Sequence, residues 1–210
     1  MEYKTIARRC EARFIEKKSE FIGYLCPVRT EEQAVAFIEE IRAMHRKATH
    51  NCYAYILREN NAARHSDDGE PGGTAGVPIY EVLRKEGLTD VCCVVTRYFG
   101  GVLLGAGGLV RAYSQGAAAA INACGVGVMH PTARYLMEIP YAMLNRMDYF
   151  LKGEPVIVED KTYTDVITYT LIMRSADEAG FLARLTNMSE GKLAPVRIEE
   201  IMLPWPEAQQ

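Results

Sequence analysis

The chain has no apolar run that fits a bilayer. A membrane helix needs about 20 mostly apolar residues, whereas the longest uncharged stretch, Ala112 to Ala133, carries Gln115, Asn122, His130, Pro131 and several glycines. Nor is basic charge in excess: 24 Lys and Arg against 27 Asp and Glu leave a net charge of −3. Any hold on a polyanion must therefore be local. No C-x-x-C pair occurs among Cys10, Cys26, Cys52, Cys92, Cys93 and Cys124. Cys92 and Cys93, as neighbours on a strand, point to opposite faces and cannot share a metal. Zinc is not expected, and the cysteines read as small core residues of a protein in a reducing cytoplasm. The first twenty residues hold Lys4, Arg8, Arg9, Arg13, Lys17 and Lys18 where a secretory signal needs an apolar core, so export is not expected.

Two nucleotide fingerprints are missing as well. Counted from Gly105, G-x-G-x-x-G requires glycine where Val110 stands, and Ala106 occupies the place of the P-loop lysine after Gly100 and Gly105. His65-Ser66 lies outside a G-x-S-x-G elbow, and His50 with Cys52 shares a strand face but no triad is assembled. No catalytic residue is assigned and no cofactor is expected.

What is present is a globular composition, 49% hydrophobic and 24% charged over 210 residues, enough for one or two cores. Glu2 to Phe14 and Ser19 to Val28 read as strands joined across Ile15 to Lys18. Thr30 and Gln33 have capping-box spacing ahead of the stripe Ala34, Phe37, Ile38, Ile41 and Met44, with Arg42, Arg46 and Lys47 toward the negative end of that helix. His45 is most simply a solvated or dipole-complementing histidine there. Asn51 to Leu57 and Val91 to Arg97 read as buried strands, Ala75 to Lys85 and Leu109 to Cys124 as helices.

Past Val128, His130 and Pro131 break the pattern, and the balance moves from +1 over residues 1–129 (16 − 15) to −4 over 130–210 (8 − 12). A domain boundary is expected there. The second part reads as strand Thr132 to Tyr141, helix Ala142 to Lys152, strands Pro155 to Lys161 and Asp165 to Arg174, helix Ala176 to Ser189 and strand Ala194 to Leu203. That is the βαββαβ order of a ferredoxin-like domain, and the whole chain is expected to be α+β with two domains.

Ten of the seventeen glycines fall between Gly69 and Gly108, in two bursts that each run into a helix. The first burst offers Gly72, Gly73 and Thr74 at a helix start, a composition suited to holding a phosphate or carboxylate, or to an ordinary capped loop. The second offers Gly100, Gly101, Gly105, Gly107 and Gly108, flanked by Arg97 and Arg111 as bidentate phosphate contacts. Tyr98, Phe99 and Tyr113 either stack on bases or fill core. Asp67, Asp68 and Glu70 are possible acid or metal groups, with solvated turn carboxylates as the plainer reading.

Four ordered segments carry a resemblance: Lys18 to Ile22, Ala48 to Ala54, Asp68 to Gly76, and Val95 through to Tyr113. Along its whole length the chain resembles the IMPACT family, whose bacterial members are called YigZ. The resemblance implies an N-terminal domain similar to domain IV of elongation factor G and to the second domain of a small-subunit ribosomal protein, followed by a ferredoxin-like domain similar to another elongation factor G module. It implies RNA or ribosome binding and a role in translation or stress, with no established catalytic activity. Many relatives carry lysine shortly after the second Gly-Gly, where this chain has Val102-Leu103-Leu104. Eukaryotic members restrain an amino-acid-starvation kinase pathway through an additional N-terminal domain, and that mechanism is not expected here. The expected protein is thus cytoplasmic and non-enzymatic and binds RNA or the ribosome, with no membrane partner. An enzyme acting on a small phosphorylated or carboxylated metabolite through the glycine loops is the alternative, and a protein-interaction module the third reading. The oligomeric state stays open.

Overall fold

The computed structural model describes residues 1–205 and divides into two compact units, Tyr3–Val128 and the chain from Met129 onward together with Met1–Glu2. Each has its own core.

In the first unit the elements are β1 (Tyr3–Thr5), β2 (Cys10–Glu16), β3 (Ser19–Pro27), α1 (Glu31–Met44), β4 (His50–Ile56), β5 (Ala63–Ser66), α2 (Gly76–Lys85), β6 (Val91–Tyr98) and α3 (Ala106–Cys124). β2 to β6 form one sheet in the order β2-β3-β6-β4-β5, antiparallel at every pairing. α1 begins as its spacing predicts: the Thr30 hydroxyl accepts the Gln33 amide, while the Gln33 side chain takes the amide of Arg29.

Helices cover the sheet on both faces. α1 packs Phe37, Ile38 and Ile41 on Ile22, Tyr24, Cys92 and Val94. α2 and α3 pack Ile79, Leu83, Tyr113 and Ala117 on Phe21, Leu25, Cys93 and Val95. This two-sided cover explains why β6 runs apolar from Val91 to Val95 with no polar alternation, and each large apolar side chain so buried contributes about 1.5–3 kcal/mol. α3 comes close to the sheet because its contact residues are small. A Cβ on Gly23 would lie 2.3 Å from the Gly116 carbonyl oxygen.

The expected first strand breaks in two, since exposed Ala7, Arg8 and Arg9 separate β1 from β2. β5 was not foreseen: Ala-Arg-His-Ser is an edge strand with three exposed residues and no apolar alternation to signal it. The cysteines need a correction. Cys26, Cys52, Cys92 and Cys93 are free and buried, but Cys10 and Cys124 form a disulfide. They start β2 and end α3, 114 residues apart, and spacing alone cannot pair residues brought together only by the packing of that helix on that strand.

In the second unit, β7 (Gly127–Ile139), α4 (Leu144–Leu151), β8 (Val156–Tyr163), β9 (Ile167–Arg174), α5 (Glu178–Ser189) and β10 (Val196–Pro204) follow the βαββαβ order. The strands lie in the order β10-β7-β9-β8, all antiparallel. Alternate residues Ala133, Tyr135, Met137 and Ile139 of β7 meet Tyr169 and Leu171 of β9, Met147 of α4 and Phe181 of α5 in one core. α4 starts later than expected, after a 3-10 turn over Tyr141–Met143. Among the described residues no helix is long and apolar enough to cross a membrane.

Candidate functional site

Three neighbouring strands set the floor of the site. Arg97 on β6 stands opposite Phe21 of β3 on one side and His50 of β4 on the other. Strand alternation sends all three toward α2 and α3. The Arg97 side chain is 6% exposed, with Nη1 2.6 Å from Glu70 Oε1. Its guanidinium lies over the rings of Phe21 and Phe99, at 5.5 and 5.4 Å, Nη2 is 3.5 Å from Ser19 Oγ, and Nε has no hydrogen-bond partner among the described residues. Glu70 is 3% exposed at its side chain, and its Oε1 also accepts the Tyr113 hydroxyl of α3 at 2.7 Å. The second oxygen, Oε2, faces His50 Nε2 at 3.8 Å. His50 Nδ1 donates to the Asp68 carbonyl at 2.8 Å, which turns Nε2 toward Glu70.

Arg97 is therefore not the free phosphate contact expected of it. It is half of a largely buried ion pair in the cavity wall, where removing either partner strands a charge. Tyr98 is displaced from the expected site too: next in sequence to Arg97, it points to the α1 face and its hydroxyl bonds His45 Nδ1 at 2.8 Å. Tyr24 takes the other ring nitrogen at 2.6 Å. Burial pulls the His45 pKa below its ordinary value, and a histidine held between two tyrosines is not the solvated one expected.

The first glycine loop already holds an anion, and that anion is its own. The Asp67 carboxylate accepts the amides of Gly73 (2.8 Å), Ala75 (2.9 Å) and Gly76 (2.8 Å). Burial raises the Asp67 pKa, but these amides outweigh it and leave the group below the usual carboxylate value. The Thr74 hydroxyl is spent on the Pro71 carbonyl at 2.6 Å. Gly72 stands in open space, and Gly73 has φ +76°. Of Gly72, Gly73 and Thr74, only Gly73 gives its amide to this carboxylate, with Ala75 and Gly76 supplying the other two; the Thr74 amide bonds the Pro71 carbonyl. Asp68 turns elsewhere, to the Asn51 amide at 2.7 Å and Arg42 at 3.0 Å. Asp67, Asp68 and Glu70 thus diverge, and among the described residues no three His, Cys, Asp or Glu groups are arranged to hold a metal ion.

The second loop is open. Gly100 is glycine because the turn between β2 and β3 presses on it: a Cβ there would lie 1.9 Å from the Lys18 carbonyl oxygen. Gly101 and Gly105 take φ of +82° and +74°. Gly105 precedes α3 with no side-chain cap, and Leu109 supplies the first helical amide bond, to Gly105. The amides of Ala106, Gly107 and Gly108 therefore remain as donors at the positive end of a 19-residue helix. Arg111 is exposed, its guanidinium lying back toward Gly107.

Between the two loops lies a cavity of about 390 Å³, lined by His50, Glu70, Arg97, Phe99, Leu104 and Ala106 among others. Phe99, one of the three aromatics expected either to stack on bases or to fill core, is 45% exposed at its mouth, and Leu103, which the sequence reading did not single out as a site residue, is 83% exposed. The Phe99 amide bonds the Thr49 hydroxyl at 3.0 Å, which brings Arg46 and Lys47 close in sequence to the cavity wall. Lys17 and Lys18 come from the other side, in the turn that abuts Gly100. All four cations are exposed. The signal for them was topological: only the strand order places 17–18, 46–49 and 99–105 side by side.

Comparison with known proteins bears on the same segments. Residues 17–121 match the Impact N-terminal domain and residues 137–192 a domain of unknown function, DUF1949. The chain is 38% identical over 197 residues to the IMPACT family member YvyE of Bacillus subtilis (strain 168), covering 90% of this chain and 88% of that protein. It is 35% identical over 187 residues to the IMPACT family member YigZ of Escherichia coli (strain K12), covering 88% and 92%. A crystal structure described only as that of a hypothetical protein aligns with a TM-score of 0.60 at 32% identity, over 94% of this chain and 98% of the other. With both domains matched in order and full-length bacterial relatives at these identities, the chain belongs to the IMPACT family.

Proposed function

We propose that this protein acts by binding RNA, including the RNA of ribosomes, on the face of its first unit where α3 begins, and that it serves translation in the cytoplasm. The observation that carries this is the exposed Phe99, set between the Lys17-Lys18 turn and the Arg46-Lys47 segment beside an uncapped helix N-terminus. An aromatic platform edged by cations and backbone donors is the arrangement that single-stranded nucleic acid calls for. It keeps Arg111 as a phosphate contact, replaces Arg97 with Lys17, Lys18, Arg46 and Lys47, and of the expected aromatics takes Phe99 rather than Tyr98 as the stacking surface.

The fold reading belongs to the same proposal. The β10-β7-β9-β8 order over two helices supports a ferredoxin-like second domain, and the likeness to elongation factor G modules that family resemblance implies is in keeping with a partner on the ribosome. The rival reading, an enzyme acting on a small anion, draws on the cavity but finds no activated nucleophile there. Burial pushes the Cys52 thiol far above its ordinary range, and its sulfur is spent on the Asp67 carbonyl.

Co-sedimentation with ribosomes and with a structured RNA across a salt series tests the proposal. The wild type should pellet with both at low salt and release as salt rises, and a folded Lys17→Ala, Lys18→Ala, Arg111→Ala variant should release at lower salt. Failure of the wild type to pellet with either at low salt contradicts it.

A further inference from the structure

We propose that the cavity beside the start of α3 is a single-ribonucleotide subsite in which Glu70 and His50 receive the ribose 2′-hydroxyl. This rests on the RNA-binding reading above and gives that reading its sugar specificity.

Glu70 presents an acceptor without a donor. Glu70 lines the cavity with a side chain only 3% exposed. Its Oε1 is satisfied twice, by Arg97 and Tyr113, while Oε2 accepts no hydrogen bond among the described residues. His50 Nε2 stands 3.8 Å from it, too far for a hydrogen bond. Because His50 spends its Nδ1 proton on the Asp68 carbonyl, its Nε2 is the ring atom turned to this side. The unpaired carboxylate oxygen is an acceptor in the cavity wall, and what completes it is a donor.

The charge already present narrows the choice of donor. Arg97 neutralises Glu70 at 2.6 Å, so a second cation gains little and a neutral hydroxyl fits better. The rest of the cavity asks for two other groups. Ala106 lines the cavity at the start of α3, and its unspent amide, followed in the first turn by those of Gly107 and Gly108, suits a phosphate, in contrast to α2, whose corresponding donors Asp67 has taken. Phe99, Leu103, Leu104 and Leu109 form an apolar wall for a planar base. A ribonucleotide carries hydroxyl, phosphate and base together. The volume of about 390 Å³ lies at the small end of the ligand-site range, about 300–1,000 Å³, and so holds one nucleotide and no duplex. A bound deoxynucleotide would take the Glu70 oxygen out of water without pairing it, which is how a polar pocket rejects an analogue lacking its hydroxyl.

The test is fluorescence anisotropy with a labelled single-stranded RNA hexamer and the DNA hexamer of the same sequence, with unlabelled ribonucleoside and deoxyribonucleoside 5′-monophosphates as competitors. RNA should bind at least tenfold more tightly than DNA. Glu70→Gln and, because Glu70 is paired with Arg97, separately His50→Gln should bring that ratio toward one in protein whose circular dichroism is unchanged. Phe99→Ala should weaken both hexamers and preserve the ratio. Competition by the free ribonucleotide assigns the site to free nucleotides, and binding by the hexamer alone assigns it to the polymer; either upholds a ribose subsite. Equal binding of RNA and DNA overturns the inference and leaves the nucleic-acid reading standing, whereas no binding of any probe overturns both.

Discussion

Asp67 does the work of a bound anion, and its carboxylate holds α2 to the loop before it through three amides. Its folded pKa is depressed, so the stability it contributes is present above the unfolded value of about 3.9 and is lost as pH falls through the folded value. Asp67→Asn should cost about 1–3 kcal/mol at pH 7, a gap that narrows below about pH 4 in chemical denaturation. His45 has the same sign from a different cause: burial disfavours its charged form, so stability falls as pH drops below about 6.5. His45→Gln should flatten the denaturation midpoint between pH 8 and pH 5.5 relative to wild type. The buried pair is the stiffest claim at this scale. Arg97→Ala or Glu70→Ala alone should destabilise by about 3–5 kcal/mol, each leaving a charge without its partner. The glycine bursts announced donors in the sequence, but nothing there told that Asp67 would fill one nest from within or that Glu70 would claim Arg97. Both facts depend on side-chain direction across a loop and a strand.

Among elements, α3 binds the first unit together. Its small face lets β3 approach so closely that Gly23→Ala should cost about 1–3 kcal/mol or more by overpacking, while Gly72→Ala, with open space around it, should leave the thermal midpoint nearly unchanged. The Cys10–Cys124 bridge pins the far end of the same helix. Reductant should lower the thermal midpoint of the wild type and leave a Cys10→Ser, Cys124→Ser variant where it was, the bridge contributing about 2–5 kcal/mol. Elements with a strong local signal were legible: α1 from its capping box and stripe, β6 from its apolar run, and the alternating helices and strands of the second unit. β5 was not, because an exposed edge strand of four residues has neither periodicity nor apolar content. The disulfide was not, because its partners meet only through tertiary packing.

At the scale of the whole molecule, a net charge of −3 means that the proposed RNA binding rests on a local concentration of cations, and the strand order brings residues 17–18 beside Gly100 and Thr49 beside Phe99. Composition argued against a whole-surface grip but could not say which cations would gather. The most direct measurement is the dependence of RNA affinity on salt, for wild type and for Lys17→Ala, Lys18→Ala, Arg111→Ala, with a single-stranded RNA. Each phosphate contact contributes about −0.7 to the slope of log K against log salt, so the wild-type slope should be clearly negative and the triple variant shallower by about 2. A wild-type slope of zero, or a folded variant with an unchanged slope, would contradict the placement of RNA on this face.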